Sequence, residues 1–179
     1  FVAWKASHEP FHWFVEFYGI MSGGGFDVII GNPPYVNTRK ISYDLASMKY
    51  HSLGAGDLFA LTIERSIRLV SPLGHLGLIV PLSATSTPTM YPLRAVLVSD
   101  TSDLWTSYYS ASDQPASLFT GVRHRLSILL AKRGSGPCRL RTTRFVKWFS
   151  DERSCLFQSL LEYVEAASEG VAAFPKVSC

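Results

Sequence analysis

A run of apolar residues ending on an asparagine and two prolines constrains this chain most. Phe26-Asp27-Val28-Ile29-Ile30-Gly31 comes after the glycines Gly23 to Gly25 and leads directly into Asn32-Pro33-Pro34-Tyr35. Near-continuous hydrophobicity over so short a span is the pattern of a strand covered on both faces, which predicts a buried parallel strand. The two prolines remove two backbone donors, so the sheet ladder stops there. Open α/β sheets place their ligands at such carboxyl ends.

The residues beyond the tetrapeptide support the same class. Leu58, Leu61, Ile63, Ile67, Leu69 and Val70 fall at helical spacing, which predicts a helix from Asp57, its N-cap, to about Val70, stopped by Pro72-Leu73-Gly74. Leu76 to Pro81 then reads as a second short buried strand, completing a strand-helix-strand crossover. A further helix is expected over Tyr91 to Val98, with Pro92 confining its start. Leu104 to Tyr109 and Arg125 to Lys132 read as strands close enough in sequence to be antiparallel neighbours. Ser150 to Ala167 carries Leu156, Leu160, Leu161 and Val164 on one face, the pattern of an amphipathic helix. The expected class is α/β.

Composition removes several alternatives. At 179 residues with 47% hydrophobic and 17% charged, the chain suits about one globular domain. No apolar run approaches the roughly 20 residues of a membrane-spanning helix. Phe1 is not an initiator Met and no secretion signal is visible after it, so the reading is a cytoplasmic chain that begins inside a longer protein. Cys138, Cys155 and Cys179 are widely spaced and form no CxxC pair, against both a disulfide framework and a zinc site. His8 and His12 are interrupted by Pro10 and have no third ligand nearby. No Walker loop, HExxH or Gly-x-Ser-x-Gly is present.

Charge is unevenly spread. Residues 1–120 carry 7 Lys/Arg and 9 Asp/Glu, whereas residues 121–179 carry 10 and 5. From Arg123 to Lys147 there are eight basic residues and no acidic one, a block that suits either phosphate contact or a solvated basic loop.

The chemistry rests on the tetrapeptide. Asn32 and Pro33 each precede a proline and are driven to extended backbone, leaving a stiff segment whose carbonyls point in fixed directions. The Asn32 side-chain oxygen and the Pro33 carbonyl can accept both hydrogens of an exocyclic amino group. Such a nitrogen is a poor nucleophile because its lone pair is delocalised into the ring. Acceptors out of the ring plane favour pyramidalisation and stabilise the positive charge that develops as a bond forms. Tyr35 offers a face for a planar base, an interaction of about 1 to 3 kcal/mol per base.

Phe26 to Val36 closely resembles the catalytic motif of amino-group DNA methyltransferases that make N6-methyladenine. Gly56-Asp57-Leu58-Phe59, Arg68 to Gly74 and Gly77-Leu78-Ile79-Val80-Pro81 resemble the segments beyond it in type II restriction-modification methylases of the fused endonuclease kind. Leu118 to Arg123 with the strand after it resembles the element supplying a second stacking side chain, and Phe11 to Phe17 the segment ahead of the motif strand. The resemblance spans roughly residues 9 to 134. It implies a partial Rossmann-like S-adenosylmethionine-dependent methyltransferase fold: the C-terminal half of the sheet, with parallel strands and an antiparallel terminal strand. Residues 1–134 would then be the catalytic half, and 135–179 a basic connector and helix.

The implied reaction is transfer of the S-adenosylmethionine methyl group to N6 of an adenine rotated out of double-stranded DNA. By residue, Asn32, Pro33 and Pro34 would form the catalytic loop and Tyr35 would stack on the base. Phe119 would be the second aromatic wall, with Arg123 and Arg125 on the substrate, while Asp57 and Phe59 would approach the cofactor. Phe59 reads equally well as a core residue. The glycine-rich cofactor loop and a target-recognition domain are not visible, so this chain alone is expected to bind S-adenosylmethionine weakly or not at all and to be inactive. A fused or partner endonuclease fits the same setting of restriction-modification or phage defence. Two other readings remain: a methyltransferase acting on protein glutamine amides, which present the same NH2, and a non-catalytic DNA-binding remnant.

Overall fold

In a computed structural model the described residues are 11–42, 44–109, 119, 124–146, 149–155 and 162–166. Two short helices, α1 (Trp13–Glu16) and α2 (Tyr18–Ser22), precede strand β1 (Phe26–Gly31). Trp13 and Phe17 stack at 5.6 Å between ring centroids, and Phe17 meets Phe26 edge-on at 5.3 Å, which fixes the entry to β1. Gly25, at φ +117°, passes so close beneath the next helix that a Cβ there would lie 2.4 Å from the Leu69 carbonyl oxygen.

Helix α3 (Leu58–Leu69) returns the chain to β2 (Val70–Pro81), parallel to β1. The expected crossover is present. Asp57 occupies the N-cap position with extended backbone, but its side chain caps no helical N–H. The sequence-based stop at Pro72-Leu73-Gly74 needs correction, because β2 begins at Val70 and runs through it. Val70 pairs with Phe26 and His75 with Val28, so three extra residues of β2 are accommodated as a bulge, with Leu73 at φ 69°. The guanidinium of Arg133 donates to the Val70 carbonyl and holds this irregular start.

Helices α4 (Ser83–Ser86) and α5 (Tyr91–Asp100) lead to β3 (Thr101–Tyr109), and β4 (Leu126–Arg133) then inserts antiparallel between β2 and β3. The expected antiparallel pair is therefore observed. β5 (Arg139–Val146) lies parallel beside β3, and β6 (Val164–Glu165) pairs antiparallel with β5, giving the order β1-β2-β4-β3-β5-β6.

Two expectations at the C-terminal end are overturned. Arg139–Val146, read as a basic connector, is a strand, because Leu140, Thr142 and Thr143 are buried while the arginines beside them face outward. The helix expected over 150–167 is instead a 3-10 turn at Ser150–Cys155 and then β6, with residues 156–161 outside the described set. Val164, assigned to an apolar helix face, is an exposed strand residue paired with Thr142.

The core lies on one face of the sheet. Phe59, Ala60, Ile63 and Ile67 of α3 and Leu93, Val96 and Leu97 of α5 pack on Leu76, Leu78 and Val80 of β2, Leu129 and Ala131 of β4 and Leu104 of β3. The sheet row Leu76, Ala131, Leu104, Leu140 is buried throughout, at 7% exposure or less. The adjacent row, on the opposite face, is Ile30, Gly77, Leu130, Trp105, Arg141. Here Ile30 is 79% and Leu130 41% exposed, and β1 is the outer strand. The expectation that β1 is covered on both faces thus fails among the described residues, because α3 and α5 cover only one.

Candidate active site

β1, β2 and β3 run in one direction and β4 in the other. Residues just after β1 therefore share an end of the sheet with the end of β2 and the beginning of β4. Gly31 pairs with Leu78, so Asn32 leaves the ladder abreast of Ile79. Asn32 is exposed, Pro33 is buried and Pro34 is exposed. The loop is thus anchored through one proline while the asparagine stays open.

Tyr35 is the centre of this arrangement. Its hydroxyl lies 2.7 Å from Asn32 Oδ1 and 3.0 Å from the Ile79 carbonyl oxygen, donating toward both acceptors. The ring contacts Phe59 edge-on at 6.2 Å between centroids and His124 at 6.4 Å. Burial pushes the Tyr35 phenol above its ordinary pKa, so it remains a donor across the neutral range.

The segment after Tyr35 is tied to the start of α3. Leu58 N–H donates to the Val36 carbonyl at 2.8 Å, Thr38 N–H donates to the Gly56 carbonyl at 2.9 Å, and Asn37 and Asp57 form an isolated antiparallel bridge. Asp57 is half-buried at this junction. Phe59 is 2% exposed and belongs to the core behind Tyr35, which favours the second of its two sequence-based readings.

The 51–55 turn next to Asp57 is clamped from below. Glu64, 1% exposed on α3, accepts from the backbone N–H groups of His51 at 3.1 Å and Ser52 at 2.8 Å, from the Ser52 hydroxyl at 2.7 Å, and from Arg68. Burial alone would raise its pKa, but the Ser52 and His51 hydrogen bonds with the Arg68 charge outweigh it and hold the carboxyl below the usual range.

The structure brings some of the sequence-predicted residues together and leaves others apart. His124 sits against Tyr35 because it lies just ahead of β4. Nothing in the sequence signals this contact, because it depends on β4 pairing with β2 as well as with its expected neighbour β3. Arg125 beside it is exposed. Phe119 is 41% exposed, and Arg123 and Lys147 lie outside the described residues. The basic block is not one solvated loop: Arg139 and Arg141 reach Asp103 at 2.8 and 3.1 Å, and Arg141 also covers the Trp105 ring. Among the described residues no three His, Cys, Asp or Glu side chains are grouped to hold a metal, and no helix is long and apolar enough to cross a membrane.

The family model of the Eco57I restriction-modification methylase matches residues 3–112, more than half of the sequence. The chain belongs to this family. Eco57I-type relatives support the placement locally. Over 75 residues, 42% of this chain and 6% of the relative, it is 41% identical to the putative type II restriction enzyme and methyltransferase RM.MjaORFECS2P of Methanocaldococcus jannaschii. It is also 41% identical over 63 residues to the type II restriction enzyme and methyltransferase RM.Eco57I of Escherichia coli, 31% of this chain and again 6% of that protein. The chain therefore spans only a small part of the curated relatives it matches.

Solved structures agree in fold at low identity. The DrdV–DNA complex superposes with TM-score 0.68 and 14% identity, covering 88% of this chain and 19% of that one. A nuclease-deletion mutant of the Type ISP restriction-modification enzyme LlaGI with a DNA substrate mimic gives TM-score 0.68 and 14% identity, covering 89% and 19%. The expected class, a Rossmann-like α/β sheet of parallel and antiparallel strands, is thus the one observed, but the antiparallel strand expected at the end is β4, inserted between β2 and β3 with β5 and β6 after it.

Proposed function

We propose that this chain is the catalytic segment of a larger site-specific DNA methyltransferase that methylates adenine N6 in a restriction-modification or defence setting. The observation that carries the reading is the exposed Asn32 amide at the carboxyl end of β1, its Oδ1 already engaged by the Tyr35 hydroxyl and its loop anchored by a buried Pro33. A side-chain oxygen so placed accepts from an amino group, and the Pro33 carbonyl is the second acceptor. Together they stabilise the charge that grows on the amine nitrogen in the transition state more than they stabilise the bound base.

S-adenosylmethionine supplies the electrophilic methyl group when bound. Of the residues singled out for it, Asp57 fits. Its carboxylate caps no helical N–H, and it lies where the post-Tyr35 segment bridges to α3. A half-exposed carboxylate suits an ammonium or ribose hydroxyls. Phe59 does not fit, since it is sealed in the core. Because the sequence carries no glycine-rich cofactor loop after a strand, the chain by itself is a weak cofactor binder and inactive. The adenine leaves the DNA duplex to reach Asn32, with the Tyr35 ring as its stacking surface. Phe119, Arg123 and Arg125 remain candidates for the base and phosphate contacts, and a target-recognition region and endonuclease would be supplied elsewhere in the cytoplasmic parent.

Asn32→Ala in the full-length enzyme is expected to abolish transfer of labelled methyl to unmethylated DNA while leaving DNA affinity within about twofold, because the lost acceptor acts mainly in the transition state. Near-normal turnover would remove Asn32 from the mechanism. Labelling of a glutamine-bearing protein in place of DNA would favour the glutamine-amide reading.

A further inference from the structure

An asparagine side chain has two ends of nearly equal shape and opposite hydrogen-bonding character. If Nδ2 faced an incoming amino group, two donors would meet and the acceptor would be lost. Something must therefore distinguish the ends of Asn32, which is exposed and not held by packing. Among the described residues the side-chain partner in place is the Tyr35 hydroxyl, 2.7 Å from Oδ1.

We propose that the Tyr35 hydroxyl is the positioning group for Asn32, locking Oδ1 toward the site and tying it to the Ile79 carbonyl of β2 so that one lone pair of Oδ1 stays available for the substrate amine. The inference rests on the proposed amino-group methylation but assigns a separate task to the hydroxyl, distinct from base stacking by the ring.

Three features support it. The hydroxyl has one proton and two acceptors within reach, at 2.7 and 3.0 Å, so it can release Oδ1 partly as an amine donor arrives and still remain hydrogen-bonded to Ile79. The second acceptor is a backbone carbonyl in a strand paired on both sides, which fixes the oxygen of Tyr35 in space. Burial keeps the phenol protonated, so it has a hydrogen to offer Oδ1, the nearer of its two acceptors. Preorganisation of this kind lowers the barrier because the acceptor needs no reorientation when the amine attacks.

The test uses the full-length enzyme carrying Tyr35→Phe, which keeps the ring and removes only the hydroxyl. The expected result is a kcat lower by about tenfold, the scale of one neutral hydrogen bond. KM for DNA and the fluorescence of 2-aminopurine at the target position should stay within about twofold, since stacking is retained. A second comparison uses Asn32→Asp, whose two carboxylate oxygens are equivalent and need no orienting partner. Adding Tyr35→Phe to Asn32→Asp should change kcat by less than about twofold, a loss of coupling that a purely structural role would not produce. If Asn32→Asp has no measurable turnover, the split between kcat and KM in Tyr35→Phe decides alone. A Tyr35→Phe enzyme with unchanged kcat overturns the proposal, as does one in which KM and fluorescence change in step with kcat. Should the parent methylate a glutamine amide and not adenine, the function reading fails, and the same kcat comparison on that amide still supports or overturns the hydroxyl's role.

Discussion

The two faces of the sheet carry neighbouring rows of side chains and fare very differently. On the face packed by α3 and α5, Leu76, Ala131, Leu104 and Leu140 form a row sealed from water. One residue along each strand, the opposite row begins with the open Ile30, passes over Gly77 to Leu130 and ends with Arg141 laid across Trp105. Gly77 leaves room there: a Cβ would meet Ile30 Cγ2 at 3.2 Å and Leu130 Cδ2 at 3.3 Å. The difference teaches that apolar content marks a strand but does not reveal which face the rest of the chain covers. The motif loop springs from a poorly covered outer strand, yet Tyr35 ties it to its better-buried neighbour.

The contrast can be broken most directly on the sealed face. Leu104→Ala removes a side chain with 0% exposure and should cost about 2 to 5 kcal/mol in urea unfolding. A loss below about 1 kcal/mol would erase the difference between the faces. Next in size is Glu64→Gln, which weakens the clamp between α3 and the 51–55 turn and should cost about 1 to 3 kcal/mol at neutral pH. Because the folded-state pKa of Glu64 lies below its unfolded value, its contribution is present at neutral pH and disappears as pH falls from the ordinary glutamate range through the depressed value. The gap between Glu64→Gln and the parent should therefore narrow in acid, and a gap independent of pH would contradict the clamp. The smallest effect belongs to the open face. Ile30→Lys is expected to change stability by no more than about 0.5 kcal/mol while reducing self-association in light scattering, since a charge on an exposed edge strand opposes edge-to-edge pairing.

Much of this arrangement was readable in the residues, for identifiable reasons. The crossover from β1 through α3 to β2 announced itself because the apolar period changes from continuous to helical and back between Phe26 and Pro81. Helix α5 and the pair β3 and β4 were equally plain. The start of β2 was not, because Pro72 and Gly74 signal a turn locally, whereas the ladder continues past them with help from Arg133 on the distant strand β4. β5 was hidden by its arginines, whose charges suit a phosphate-contacting or solvated block until Asp103 is seen to neutralise two of them. At the site, Asn32 to Tyr35 could be singled out from residue type alone. The contacts of Tyr35 with Ile79 and His124 could not, since they depend on strand register, a tertiary property that no short window encodes.

The insertion of β4 between β2 and β3 has a consequence for how the molecule is made. Two strands that emerge early are held apart by a third synthesised after both, so the sheet keeps an open slot until residues 126–133 arrive. His124 reaches Tyr35 only when that slot closes. The loop from Asn32 to Tyr35 thus acquires its full surroundings only once β4 is in place, and a nascent chain halted before that point would expose both unpaired borders to its neighbours.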